Sequence, residues 1–322
     1  MQLATTKPPE PEVTLSLEPL HDSRPVHGTR FSSNNLLASV GFDGSLHLWQ
    51  LSPGWDDPVE LYASVQCSKR PLLQVDFSPS GEQALCAGAD GRIYCVDTNT
   101  GEKVVVSGHE SYVNGVVSMG GNDLLASSSD DCTMRVWDLK QKQTSAAEVM
   151  EMDRECTSVA WSQHQPHLLF AGSLDNTIRC FDRRRQGALY ALLGHRDIVT
   201  GLGLHPTTGR ELVSAGLDGT LRIWDVSPFS GAETRQTHVI KHGSGNPGGD
   251  MIRCTYSPCG KYISAGSGVS SECTVCVWDA AGRPFKAFPG HSLPVVEVAF
   301  HPIENKLATC GMDSRLLLGT FL

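Results

Sequence analysis

The chain has 322 residues, 40% of them apolar and 19% charged, with a formal net charge of −9. That composition excludes a disordered polyelectrolyte and supplies enough apolar area for one large domain or two ordinary ones. No apolar run approaches the roughly 20 residues of a membrane-spanning helix, and the acidic balance argues against a surface that grips nucleic-acid phosphates regardless of sequence.

In chain order, residues 1–12 (MQLATTKPPEPE) are proline-rich and expected to be a disordered tail. They lack the basic-then-apolar pattern of a secretory signal, so an intracellular, soluble protein is expected. Val13–Leu17 (VTLSL) then alternates like a strand. From there one slot recurs, held by Trp49, Val96, Trp137, Phe181, Trp224, Trp278 and Gly319, at spacings of 41 to 54 residues. Six residues before each lies a turn acid: Asp43, Asp90, Asp131, Asp175, Asp218, Glu272 and Asp313.

The unit from Gly194 to Val226 shows the frame most clearly. A Gly-His pair is followed by two short apolar runs, an Asp-Gly turn at Asp218–Gly219, and a third run closing on Trp224-Asp225. Short strands with tight turns at this period describe a four-stranded propeller blade. Seven such units predict an all-β, seven-bladed ring over residues 13–322. Wide spacings locate insertions at Ser52–Pro58 and Ser227–Asp250. Because the chain stops directly after the third strand of the seventh unit, Val13–Leu17 is predicted to supply that blade's outer strand and lock the ring.

Eleven cysteines, an odd number, are scattered from Cys67 to Cys310. Cys86, Cys95, Cys180 and Cys254 fall inside predicted strands, where a thiol acts as a small hydrophobe. Cys273–Cys276 is the only C-x-x-C and has no second pair to complete a metal site. Reduced thiols suit a cytosolic or nuclear compartment. The one basic run, Arg183–Arg185, reads as a solvated turn.

Two constellations imitate a hydrolase: His195, Ser214 and Asp218, and His109, Ser127 and Asp131. Both recur in register with the blade period, each ends in a tryptophan (Trp224, Trp137), and neither serine lies in a G-x-S-x-G elbow. They are expected to be buried hydrogen-bonded tetrads that hold shape. Only units three and five are expected to carry all four members. The seventh has His291, Thr309 and Asp313 but ends in Gly319, and the others lack the Gly-His.

These units resemble the WD40 repeat family. Within it, segments such as LASVGFDGSLHLW, TGEKVVVSGHESYVNG, RIWDVSPF and MIRCTYSPCGKYISAGS resemble the WD-repeat proteins of the spliceosomal U5 small nuclear ribonucleoprotein. The resemblance implies a nuclear, non-catalytic scaffold that docks large U5 scaffold and helicase proteins during pre-messenger-RNA splicing, with U5 RNA nearby. It implies no cofactor, no membrane and no small-molecule substrate. Contacts in a propeller concentrate on the loops at its two ends. Arg70, Tyr112, Arg196 and Arg253 are therefore candidate partner contacts on one face, and Trp55 and Phe229 on the other. A rival stays open, since Phe181-Asp182-Arg183-Arg184 resembles the WDxR box of substrate receptors for cullin–RING ubiquitin ligases.

Overall fold

A computed structural model describes residues 13–17, 21–52, 59–121, 123–140, 145–230, 234–241, 252–267 and 274–321. The predicted tail, Trp55, Glu272 and Cys273 lie outside these residues. Among them are seven antiparallel four-stranded sheets, arranged as the blades of a propeller. The seventh is completed from the other end of the chain: Val13–Leu17 pairs with Leu316–Thr320, Ser16 opposite Leu317 and Leu17 opposite Leu316.

Composition explains each strand's place. The second strands are buried along most of their length, Leu36–Gly41 and Leu168–Ser173 wholly so and the others through their middle residues, because both faces pack on neighbouring blades. Outer strands such as Lys103–Ser107 and Gln236–Lys241 are largely exposed. Every seam between blades holds one apolar cluster. Trp224 of blade five packs with Phe170, Cys180 and Leu192 of blade four, and Trp137 of blade three with Leu85, Ile93 and Cys95 of blade two. The recurring slot therefore fills the wall of the preceding blade. In blade seven, where Gly319 has no ring to offer, Phe321 turns into the seam instead, 5.0 Å from Phe300 and 5.8 Å from Tyr262 between ring centroids.

Inner strands are stitched around the bore. His27 Nδ1 meets Leu72 O at 3.1 Å, Val116 N donates to Gln74 Oε1 at 2.8 Å, and Asn114 Nδ2 donates to Cys156 O at 3.0 Å. Thr157 donates to Val199 O, and Thr200 to Ile252 O at 2.6 Å. Arg253 N donates to Val296 O at 2.8 Å and Thr29 N to Glu297 Oε2 at 3.1 Å. Every seam is crossed.

The turn acids share a backbone device. The residue after each of six has a left-handed backbone: Gly44, Gly91 and Gly219, but also Cys132 (φ 63°), Asn176 (φ 68°) and Ser314 (φ 65°). A side chain there costs roughly 1–2 kcal/mol, against about 0.5–1 kcal/mol of extra unfolded-state freedom for glycine. Cys132→Gly is therefore expected to stabilise by roughly 0.5–1 kcal/mol, read as a higher urea midpoint.

Candidate functional site

The tetrads stand at the end of the ring where the turn acids cap the third strands. In blade three, Trp137 Nε1 donates to Ser127 Oγ at 2.8 Å, Ser127 Oγ meets His109 Nε2 at 2.7 Å, and His109 Nδ1 meets Asp131 Oδ2 at 2.7 Å. Blade five repeats this, with Trp224 to Ser214 at 2.8 Å, Ser214 to His195 Nε2 at 2.7 Å, and His195 Nδ1 to Asp218 at 3.1 Å. A carboxylate can only accept, so Nδ1 carries the imidazole proton and the serine hydroxyl donates to Nε2. Each serine is wholly buried and has no open side from which a carbonyl carbon could be attacked.

Charge placement follows the same frame. Burial alone would raise the Asp131 carboxyl, but hydrogen bonds from Thr133 and His109 outweigh it and hold it low. Burial pushes the His109 imidazole down more than its bond to Asp131 lifts it. Four residues after the acid, an arginine completes the site in three blades: Arg135 to Asp131 at 3.4 Å, Arg179 to Asp175 at 2.8 Å, Arg222 to Asp218 at 3.6 Å.

Magnitudes rank these contributions. Burying an indole removes about 200 Å² from water, about 5 kcal/mol at 25 cal/mol per Å², whereas one net hydrogen bond is worth about 1 kcal/mol. The polar chain aims the ring; the ring supplies the cohesion. His195→Ala is expected to destabilise by roughly 1–3 kcal/mol, because Ser214 and Asp218 lose partners inside the protein. A denaturant titration matching the parent's would contradict this.

The expectation that only blades three and five hold full tetrads is corrected. Blade one has one too: His21 Nδ1 to Asp43 at 2.8 Å, His21 Nε2 to Ser39 at 3.1 Å, and Trp49 Nε1 to Ser39 at 3.2 Å. His21 follows Leu20 and not glycine, so it lacks the Gly-His pair of the other tetrads. The spacing contains it, since His21 precedes Asp43 by 22 residues, as His109 precedes Asp131. The same offset locates the substitutes elsewhere. Ser68, with Tyr94, hydrogen-bonds Asp90 in blade two at 3.0 and 2.5 Å. Asp153 shares Arg179 with Asp175 in blade four at 2.6 and 2.8 Å. In blade seven, His291 bonds Asp313 at 2.9 Å and Thr309 at 2.8 Å.

The candidate contacts divide. Arg70, Tyr112 and Arg196 are exposed in the loops leading into inner strands, at one end of the ring. Arg253 is not a surface residue. It is 9% exposed, and its guanidinium reaches across the bore to Leu73 O at 2.9 Å, Asn114 O at 2.9 Å and His27 O at 3.2 Å, with Glu297 at 3.7 Å. Its register beside an inner strand let its long side chain turn inward, where carbonyls of three other blades lacked donors. Phe229, at the opposite end, is 98% exposed. Sequence reasoning missed two apolar rim residues, Phe42 and Leu293, both about half-exposed; the guanidinium of Arg24 lies 5.9 Å from the Phe42 ring centroid. Phe42 stands directly before its turn acid, the one available signal. In the basic run, Arg183 clasps Glu148 of blade three at 3.0 and 3.1 Å, and Arg184 folds back on Asp182 at 2.9 and 2.7 Å.

Seven WD-type blades with buried His–Ser–Asp–Trp chains define the class. The WD domain, G-beta repeat family matches residues 101–138, 151–182, 187–225, 237–279 and 282–318, and the chain belongs to it. Among its relatives, pre-mRNA-splicing factor cwf17 of Schizosaccharomyces pombe is 31% identical over 289 residues, covering 89% of this chain and 82% of that protein. The U5 small nuclear ribonucleoprotein 40 kDa protein of Homo sapiens is 32% identical over 298 residues, covering 91% and 80%. Its namesake in Dictyostelium discoideum is 29% identical over 299 residues, covering 91% and 81%.

Proposed function

We propose that this protein is a nuclear, non-catalytic docking scaffold of the U5 small nuclear ribonucleoprotein, acting in pre-messenger-RNA splicing. The observation that carries the proposal is similarity along about nine-tenths of the chain to proteins named for that particle and that process. Blade geometry supports it: the residues resembling catalytic sets are sealed in blade walls, leaving loops and rims as the surface for partners. Large spliceosomal proteins fit as those partners, with Arg70, Tyr112 and Arg196 as contacts on one end and Phe229 on the other. Tyrosine and arginine are enriched among residues that dominate binding energy.

Affinity purification of the tagged, full-length protein from nuclear extract tests this. Co-purification of U5 RNA and the large U5 proteins is the expected result. Recovery of a cullin–RING ligase adaptor without splicing components would overturn it in favour of the rival. Combining Arg70→Glu, Tyr112→Ala and Arg196→Glu is expected to reduce that co-purification while leaving the melting curve unchanged, because all three side chains face solvent.

A further inference from the structure

The turn acids differ from blade to blade in the side chain that stands four residues later. In blades three, four and five, the turn acid has an arginine four residues later. In blade one that register position holds His47, and among the described residues Asp43 has no arginine or lysine partner. Around the carboxylate, His21 Nδ1 lies 2.8 Å from Asp43 Oδ1 and 3.1 Å from Ser45 Oγ, and His47 Nε2 lies 3.0 Å from the same hydroxyl. One ligand atom each from His21, Asp43 and His47 lie within 4.8 Å of one another, the only such triple among the described residues. The second ring nitrogen of His47, Nδ1, is buried without a hydrogen-bond partner.

We infer that the blade-one turn is a zinc(II) site ligated by His21, Asp43 and His47, in which the dication takes the electrostatic place that a guanidinium takes in three other blades. Two imidazole nitrogens and a carboxylate oxygen form a ligand set that zinc favours, at about 2.0–2.2 Å; binding at His21 Nδ1 moves that ring's proton to Nε2, which then donates to Ser39 Oγ. The Ser45 hydroxyl or water completes four-coordination. The imidazoles of His21 and His47 stack, centroids 4.3 Å apart and planes 13° from parallel. In-plane lone pairs of parallel rings do not converge on one point, so binding requires the His47 ring to turn out of the stack. Asp43 and His47 are only partly buried, which leaves the ion an approach from the turn side, whereas His21 anchors from inside.

The test is calorimetric titration of the metal-free, full-length protein with zinc chloride, paired with a melting curve with and without the ion. The parent is expected to bind one zinc ion and to melt at a higher temperature with it. His47→Arg restores the side chain that blades three to five carry at this register, so it is expected to fold, to melt like the metal-free parent or above it, and to lose both zinc responses. No binding by the parent would overturn the inference. So would binding by His47→Arg equal to the parent's, which would assign the ion to cysteines such as the exposed Cys259.

Discussion

Deleting residues 1–17 is expected to lower stability by roughly 4 kcal/mol or more. Val13–Leu17 forms the outer strand of blade seven, in register with Leu316–Gly319. Its loss removes a ladder of hydrogen bonds worth about 1 kcal/mol each and uncovers the seam where Leu17 packs with Val26, Trp49 and Leu318. Removing the Leu17 side chain alone forfeits about 2 kcal/mol of apolar burial. At about 1.5 °C per kcal/mol for a 322-residue chain, the midpoint should fall by roughly 6 °C or more, with earlier aggregation from the bared strand edge. A melting curve identical to the parent's would mean that the seam holds without its clasp.

Arg253→Met is expected to cost about 3 kcal/mol, because it strips donors from three carbonyls and leaves a buried carboxylate without its counter-charge. Burial already raises the Glu297 carboxyl, and Arg253 is the strongest influence holding it down. The double variant Arg253→Met with Glu297→Gln should therefore be more stable than the single one, since no buried charge is left unpaired. A double variant less stable than the single would show that the carboxylate is held by Thr29 N and Arg30 instead. Chemical denaturation of the four proteins of the cycle measures the coupling directly.

The number of blades and the closing strand were legible because they rest on periodic, short-range chemistry. The turn acid, the slot six residues on and the alternation at Val13–Leu17 follow from hairpin geometry and from the pleat. The tetrads of blades three and five were legible for the same reason. His21 is hidden in the sequence because Leu20, not glycine, precedes it, whereas the physical requirement is only an imidazole at the right distance from Asp43. Arg253 was misplaced because a position beside an inner strand permits a long side chain to point either to the rim or into the bore. That choice depends on unpaired carbonyls in blades one, two and three, residues far away in the chain. His47 carries no local signal either, because its meaning lies in sharing the register of Arg135, Arg179 and Arg222 in other blades. Phe42 offers only its place directly before the turn acid Asp43, and Leu293 offers nothing comparable, since an apolar residue next to a turn is as often buried as not.

The clasp has a consequence for biosynthesis. Among the described strands, Val13–Leu17 leaves the ribosome first and its pairing partner Leu316–Thr320 last. Six sheets can assemble by local hairpin pairing as translation proceeds, but Val13–Leu17 must stay unpaired until the strands of those six sheets have been made. During that interval the nascent chain carries an adhesive β-segment with no mate, an opportunity for mispairing with a neighbouring polysome product and for chaperone capture. Protection of this segment from proteolysis should therefore be the final event of maturation, lagging behind that of the middle blades.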